Sequence, residues 1–180
     1  MARVSDVVVL AEDERHQRFA FHYLKRLGNF SSPRFIISPS GRGSAEQFVR
    51  ERYANEVREF RRRSARASTA LIVVIDSDRG DISTRIAQLQ EVLVAAQLQP
   101  RVCTEKIAHL IPKRNIETWI LCLDGQTVDE ESDYSGDQDV DSRIRGAALT
   151  FFQWTRPNAT IPQHCVPSLR TGVMEIRRLE

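Results

Sequence analysis

Lysine is almost missing from this chain. Only Lys25, Lys106 and Lys113 occur among 26 basic residues, so arginine carries the positive charge. Cysteine is scarce as well. Cys103, Cys122 and Cys165 are widely spaced and odd in number, which argues against a disulfide framework or a zinc site. That usage predicts buried thiols in a reducing compartment, and so a cytoplasmic protein. No apolar run approaches the roughly 18 residues of a membrane span, so no membrane partner is expected. The opening Met-Ala-Arg-Val-Ser-Asp lacks the charged-then-apolar order of a secretory leader. A phosphate-binding loop is missing too. Ser40-Gly-Arg-Gly-Ser44 has no Lys-Ser/Thr ending, and ATP hydrolysis by this chain alone is not expected.

What is present suits one domain of 180 residues, 41% hydrophobic and 28% charged. The net charge of +2 says little, but the charges are sorted along the chain. Arginines crowd residues 42–66, with Arg61, Arg62 and Arg63 consecutive, and acids crowd residues 124–141. Guanidinium groups bind phosphate in bidentate fashion. A high-GC genome and a solvated helix face would produce the same enrichment.

Apolar patterning predicts strands alternating with helices. Val4–Leu10 reads as a buried parallel strand that stops at Glu12, Asp13 and Glu14. The next helix carries Phe19, Tyr23 and Leu27 on one stripe and ends at Gly28. Phe35–Ile37 is a short second strand, and a long helix spans Ala45 to about Arg63. Ala70–Ile75 is the strongest strand and runs into Asp76-Ser77-Asp78. A helix from about Ser83 to Ala96 follows. Pro100–Cys103 leads toward a short fourth strand, with Ile107–Ile111 as a candidate fifth. Ile111–Leu123 reads as a loop feeding a helix, and residues 124–141 as a solvated, acidic excursion. Helices from Asp141 and Ser168 close the chain. The fold class expected is α/β in three layers, Rossmann-like, with a mostly parallel sheet and helices on both faces. Residues 4–124 would form its core and 141–180 its C-terminal helices.

Ligands of parallel sheets bind outside the C-terminal strand ends. The two most hydrophobic strands end in carboxylates, Glu12 after one and Asp76 and Asp78 after the other. Neighbouring strands lie about 4.8 Å apart, so these acids are expected to converge. Their mutual repulsion is relieved by a divalent cation, Mg²⁺ or Mn²⁺. Strand-end acids also cap helices, and Asp13 and Glu14 fit that role through the helix dipole. Glu117 sits between Ile116 and Trp119 and suits a metal ligand or general base, or equally a partner for Arg114. Asp81 reads as solvated loop. His16, His22, His109 and His164 show no ligand spacing, and core or surface roles are expected for them.

Val-Val-Val-Leu-Ala-Glu12 and Ile-Val-Val-Ile-Asp76-Ser-Asp78 together resemble the Toprim family, which has a Glu after the first strand and Asp-x-Asp after a later one. Ile-Pro-Lys-Arg-Asn-Ile-Glu117-Thr-Trp119 is similar to a motif of small stand-alone Toprim-like proteins of bacterial phage defence, related to overcoming-lysogenization-defect nucleases. The resemblance implies Mg-dependent phosphodiester hydrolysis of nucleic acid, with DNA ahead of RNA. It implies Glu12, Asp76, Asp78 and Glu117 as the metal and catalytic set. Lys113 and Arg114, if not a solvated turn, would face phosphate charge, and Arg61, Arg62 and Arg63 would make sequence-blind backbone contacts. A separate ATPase subunit is a partner implied by the same resemblance. One departure is Glu12-Asp13 where many relatives carry Glu-Gly. No tyrosine is placed for topoisomerase-style chemistry. Two rivals stand beside this reading. One is a receiver-like regulatory domain, suggested by the paired acids Glu12 and Asp13, although the Lys-Pro expected there appears reversed as Pro112-Lys113. The other is a non-catalytic Toprim-fold subunit that binds nucleic acid or a partner protein.

Overall fold

The computed structural model describes residues 6–28, 33–39, 43–78 and 80–179. The elements run β1 (Asp6–Ala11), α1 (Glu14–Leu27), β2 (Arg34–Ile37), α2 (Ala45–Ser64), β3 (Thr69–Val74) and α3 (Ile82–Ala95). They continue with β4 (Ile107–Leu110), α4 (Ile116–Leu123), α5 (Val140–Thr155) and α6 (Pro167–Ile176), followed by a 3-10 turn at Arg177–Leu179. The four strands are all parallel in the order β2-β1-β3-β4. Alternate residues of each strand face opposite layers. Val7, Val9 and Ala11 of β1 pack under α1, α4, α5 and α6. Val8 and Leu10 pack against α2 and α3. The molecule is therefore an α/β protein of three layers, Rossmann-like in plan.

Both central strands are apolar on both faces because both faces are covered, and every residue of β3 is buried. From β1 the chain moves outward to β2, then crosses back to β3 on the far side of β1. The β1/β3 boundary is thus a switch point, where a crevice opens at the C-terminal strand ends. Helix α1 stops as its sequence demands. Gly28 takes φ 66° and its amide bonds the Leu24 carbonyl.

Two expectations need revision. The strand expected after Pro100–Cys103 does not form, and residues 101–106 make turns that lead directly into β4. Pro100 offers no amide, the Val102 amide bonds Glu105 Oε2, and the Arg101 guanidinium bonds the Ile107 carbonyl at 2.9 Å. The acidic segment 124–141 is solvated as expected but tied down. Asp129 Oδ1 accepts the amides of Glu131 and Ser132, and Glu130 accepts the amide of Ser168 at the start of α6. Val4 and Ser5, the first residues of the expected leading strand, lie outside the described residues, as do 40–42 of the glycine-serine loop.

The outer edge of β4 is closed by side chains. Glu175 accepts the His109 amide at 3.0 Å, Arg101 donates to the Ile107 carbonyl, and these two side chains pair with each other. No described helix is long and apolar enough to cross a membrane.

The buried indole of Trp119 stacks near Phe151 and donates from Nε1 to Ser168 Oγ. Gly172 of α6 lies flat against that ring, where an added Cβ would sit 2.9 Å from Cζ3. Gly146 of α5 faces open space. The two glycines are therefore expected to respond oppositely to alanine. Gly146→Ala should stabilise by about 0.5–1 kcal/mol through helix propensity. Gly172→Ala should destabilise by about 1–3 kcal/mol through overpacking. Urea denaturation of both variants reads the two signs, and a stabilised Gly172→Ala would refute the packing described.

Candidate metal centre

Register builds the site. β1 and β3 pair with Ala11 opposite Val74, so the next residues, Glu12 and then Asp76, emerge side by side at the sheet rim. Glu12 Oε1 accepts the Asp76 amide at 2.7 Å and so locks the two strand ends together. Both acids are only 8% exposed. His16, in the first turn of α1, lies over them at 1% exposure, with Nε2 3.0 Å from Asp76 Oδ1. One donor atom each from Glu12, His16 and Asp76 lies within 4.8 Å of the others.

The start of α1 fixes the imidazole. Asp13 is the N-cap, and its Oδ1 accepts the amides of Arg15 and His16 at 2.8 and 3.0 Å. The same oxygen bonds His16 Nδ1 at 2.8 Å. With Nδ1–H held by a carboxylate, Nε2 is aimed at Asp76, the arrangement by which metal-bound histidines are oriented from behind. Asp13 is thus the residue that positions His16.

Electrostatics follow from this crowding. Burial, then repulsion from Asp76, pushes the Glu12 carboxyl up to about 8 against the opposing pull of His16. Burial also raises Asp76, although His16 counteracts it. Burial works against charge on His16, but Asp76 and Asp13 overcome it and hold the imidazole protonated well above its ordinary range. Burial opposes ionisation of Asp13 too, and the bonds and charge of His16 more than reverse that, so its carboxyl stays well below the usual range.

Around this cluster lies a cleft of 340 Å³ lined by Asp13, Asp76, Asp78, Arg114, Asn115, Glu117, Asp133 and Ser135. Glu117 is 5% exposed in the first turn of α4, which Asn115 caps, and it pairs with Arg15. Asp78 adopts φ 55°, left-handed backbone that Asp tolerates better than most residues. Its side chain is 63% exposed and lies 3.3 Å from the Arg85 guanidinium. Arg85 is itself buried. It bonds the Asp76 carbonyl at 2.9 Å and pairs with Glu46 of α2.

Of the acids singled out in the sequence, Glu12 and Asp76 enter the compact cluster, while Asp78 and Glu117 line the cleft beside it. His16, expected to be core or surface, takes the third place. A signal existed: His16 stands three residues after an Asp N-cap, where a side chain reaches back to the cap. Arg114 lines the cleft and pairs with Asp133 at 3.5 Å. Lys113 is turned to Glu131. Arg61, Arg62 and Arg63 lie at the C-terminal end of α2, where the chain enters β3, at the opposite end of the strands from the acids. Arg61 chelates Glu105, Arg62 pairs with Glu59, and Arg63 pairs with Asp6.

The residues fit a divalent cation. Donors on an ion at about 2.1 Å sit about 3 Å apart when adjacent and about 4.2 Å apart when opposite, close to the spacing here. Two carboxylates and an imidazole suit ions from Mg²⁺ and Mn²⁺ to Zn²⁺. Binding would displace protons from His16 and Glu12.

Stability without metal should therefore depend on pH with a definite sign. The folded chain keeps a proton on Glu12 between 4.5 and about 8 that the unfolded chain has lost, so stability falls as pH rises through that window. His16, also raised, loses its contribution in the same direction at higher pH. Asp13 acts oppositely, and only on the acid side. In EDTA, the unfolding temperature should decline from about pH 5 to about pH 8, and Glu12→Gln should flatten that decline. A rising profile for the wild type would contradict the burial of these acids. Comparison with known proteins adds no name to the site: no family model, curated protein or solved structure matches the chain.

Proposed function

We propose that the protein is a divalent-metal-dependent hydrolase of phosphodiester bonds in nucleic acid, of the Toprim kind, working with Mg²⁺ or Mn²⁺. The observation that carries this reading is the convergence of Glu12, Asp76 and His16 at the switch point of a parallel sheet, beneath an open cleft rimmed by Asp78 and Glu117. A cleft lined by five carboxylates and one arginine repels a phosphate on its own. The bound cation supplies the missing positive charge and acidifies a water toward neutral pH.

The chain's residues then have distinct tasks. Glu12, His16 and Asp76 hold the ion, and Asp13 orients His16. Glu117, kept in place by Arg15, lines the cleft and serves as base, and Asp78 lines it from the β3 side. Among the described residues Arg114 is the guanidinium lining the cleft, and it is placed for a phosphate oxygen once it leaves Asp133. Lys113 is outside the cleft lining among the described residues, and its ammonium pairs with the exposed Glu131.

A receiver-like role draws support from Glu12 and Asp13 beside a strand-end Asp76. It is disfavoured by that same Asp76, which is buried and bonded to His16 Nε2 rather than open to phosphorylation.

The test is cleavage of plasmid, single-stranded DNA and RNA with Mg²⁺ or Mn²⁺. Asp76→Asn and Glu12→Gln should each lower the rate by two orders of magnitude or more, roughly the scale of a lost ligand. Asp13→Asn retains a capping oxygen but loses the charge behind His16. It should weaken metal binding, read by calorimetry, about 10–100-fold. Cleavage that persists unchanged in Asp76→Asn and Glu12→Gln would remove the activity from this site.

A further inference from the structure

The acidic cleft can take a phosphate through metal but cannot itself attract a polyanion, so affinity for a nucleic-acid strand must come from another surface. That surface lies on the flank of the same sheet. Between edge strand β2 and helix α2 runs an open groove of 540 Å³ whose basic lining is Arg34, Arg52, Arg58 and Arg63. Glu56 at its floor is buried and holds Arg34 at 2.9 Å and Arg52 at 3.3 Å, so two guanidiniums are fixed in place with their outer faces toward solvent. Arg34 and Arg52 remain 51% and 44% exposed. Arg58 is exposed and bonds only the Asn55 amide oxygen among the described residues. Among the described residues Glu59 and Glu56 are the acids lining the groove and Asp6 pairs with Arg63 beside it, against four lining arginines, which leaves the groove net positive.

The groove's direction connects it to the acids. From Arg52 to Arg63 it follows α2 for about 16 Å, the axial length of about five phosphates in one strand. The other end of α2 abuts the cleft, since Glu46 in its first turn pairs with Arg85, which also pairs with Asp78. Only six residues, about 9 Å of helix, separate Glu46 from Arg52.

We propose that the β2–α2 groove is a binding track for the sugar-phosphate backbone of a nucleic acid, gripped by Arg34, Arg52, Arg58 and Arg63. The inference rests on the phosphodiesterase reading and adds the surface that holds the substrate. It differs from the expectation for Arg61, Arg62 and Arg63 as a unit, because Arg61 is chelated by Glu105 and only Arg63 of the three lines the groove. The contact is open and built from guanidiniums without a base-reading pocket, so it is blind to sequence.

Fluorescence anisotropy with labelled 20-nucleotide DNA and RNA, in EDTA so that nothing is cleaved, tests it on the full chain. Four phosphate contacts on a single strand predict an affinity loss of about fifty-fold between 50 and 200 mM salt. Arg58→Glu and Arg52→Gln should each weaken binding at least ten-fold and flatten the salt dependence, and Arg58→Lys should retain most of it. Arg26→Glu, the same charge change at an exposed site on α1, should have little effect.

If Arg26→Glu weakens binding as much as Arg58→Glu, or if neither groove variant changes it, the track is overturned. Absent binding by the wild type overturns it as well, as would competition by an acidic peptide but not by unlabelled nucleic acid. Binding through these arginines without metal-dependent cleavage would defeat the hydrolase reading and leave the groove standing. Cleavage with unaffected groove variants would do the reverse.

Discussion

The packing of Glu12 against the end of β3 is the contact on which the architecture of the site depends. Parallel pairing of β1 with β3 brings two strand-end acids to one point, and the Asp76 amide joins them through Glu12 Oε1. Two carboxylates taken out of water beside each other are tolerable only with a proton or a cation between them. His16 supplies that charge in the metal-free chain, bridging Asp13 and Asp76 from the first turn of α1. The switch point, the helix cap and the charge balance are therefore one construction, and none of the three can be altered alone.

Most of the layer plan was legible from apolar spacing. Ala70–Ile75 reads as a strand because burial on both faces leaves no polar position, and the helix stripes of Phe19, Tyr23 and Val49, Tyr53, Val57 mark their inner faces directly. The short strand expected near Pro100 does not form because the Glu105 and Arg101 side chains take up the backbone there, which local β-forming residues do not reveal. Convergence of Glu12 and Asp76 followed from strand adjacency alone. His16 did not: its spacing from Asp13 marks the cap contact, but its approach to Asp76 spans 60 residues that no local spacing displays. The placement of the arginine run was not legible for a similar reason. Composition gives a cluster, but only the fold decides at which end of α2 it lies and which carboxylates are waiting for it.

The near-neutral net charge conceals a division of labour between surfaces. Acids collect at the C-terminal rim, where a cation can gather them, and exposed guanidiniums collect along the β2–α2 flank. Arg85 joins the two regions. It is buried, reaches the Asp76 carbonyl and Asp78 on one side and holds Glu46 of α2 on the other. A shift of α2 would pull directly on the turn that carries the strand-end acids.

The two margins of the sheet are unlike. At β4 the outward-facing amide of His109 and carbonyl of Ile107 are already satisfied by Glu175 and Arg101, whereas β2 is an edge strand without such a seal among the described residues. A sheet that can be extended from one margin only cannot propagate. Strand addition between copies would stop at a pair, so this layout guards against fibre growth without needing to hide both margins.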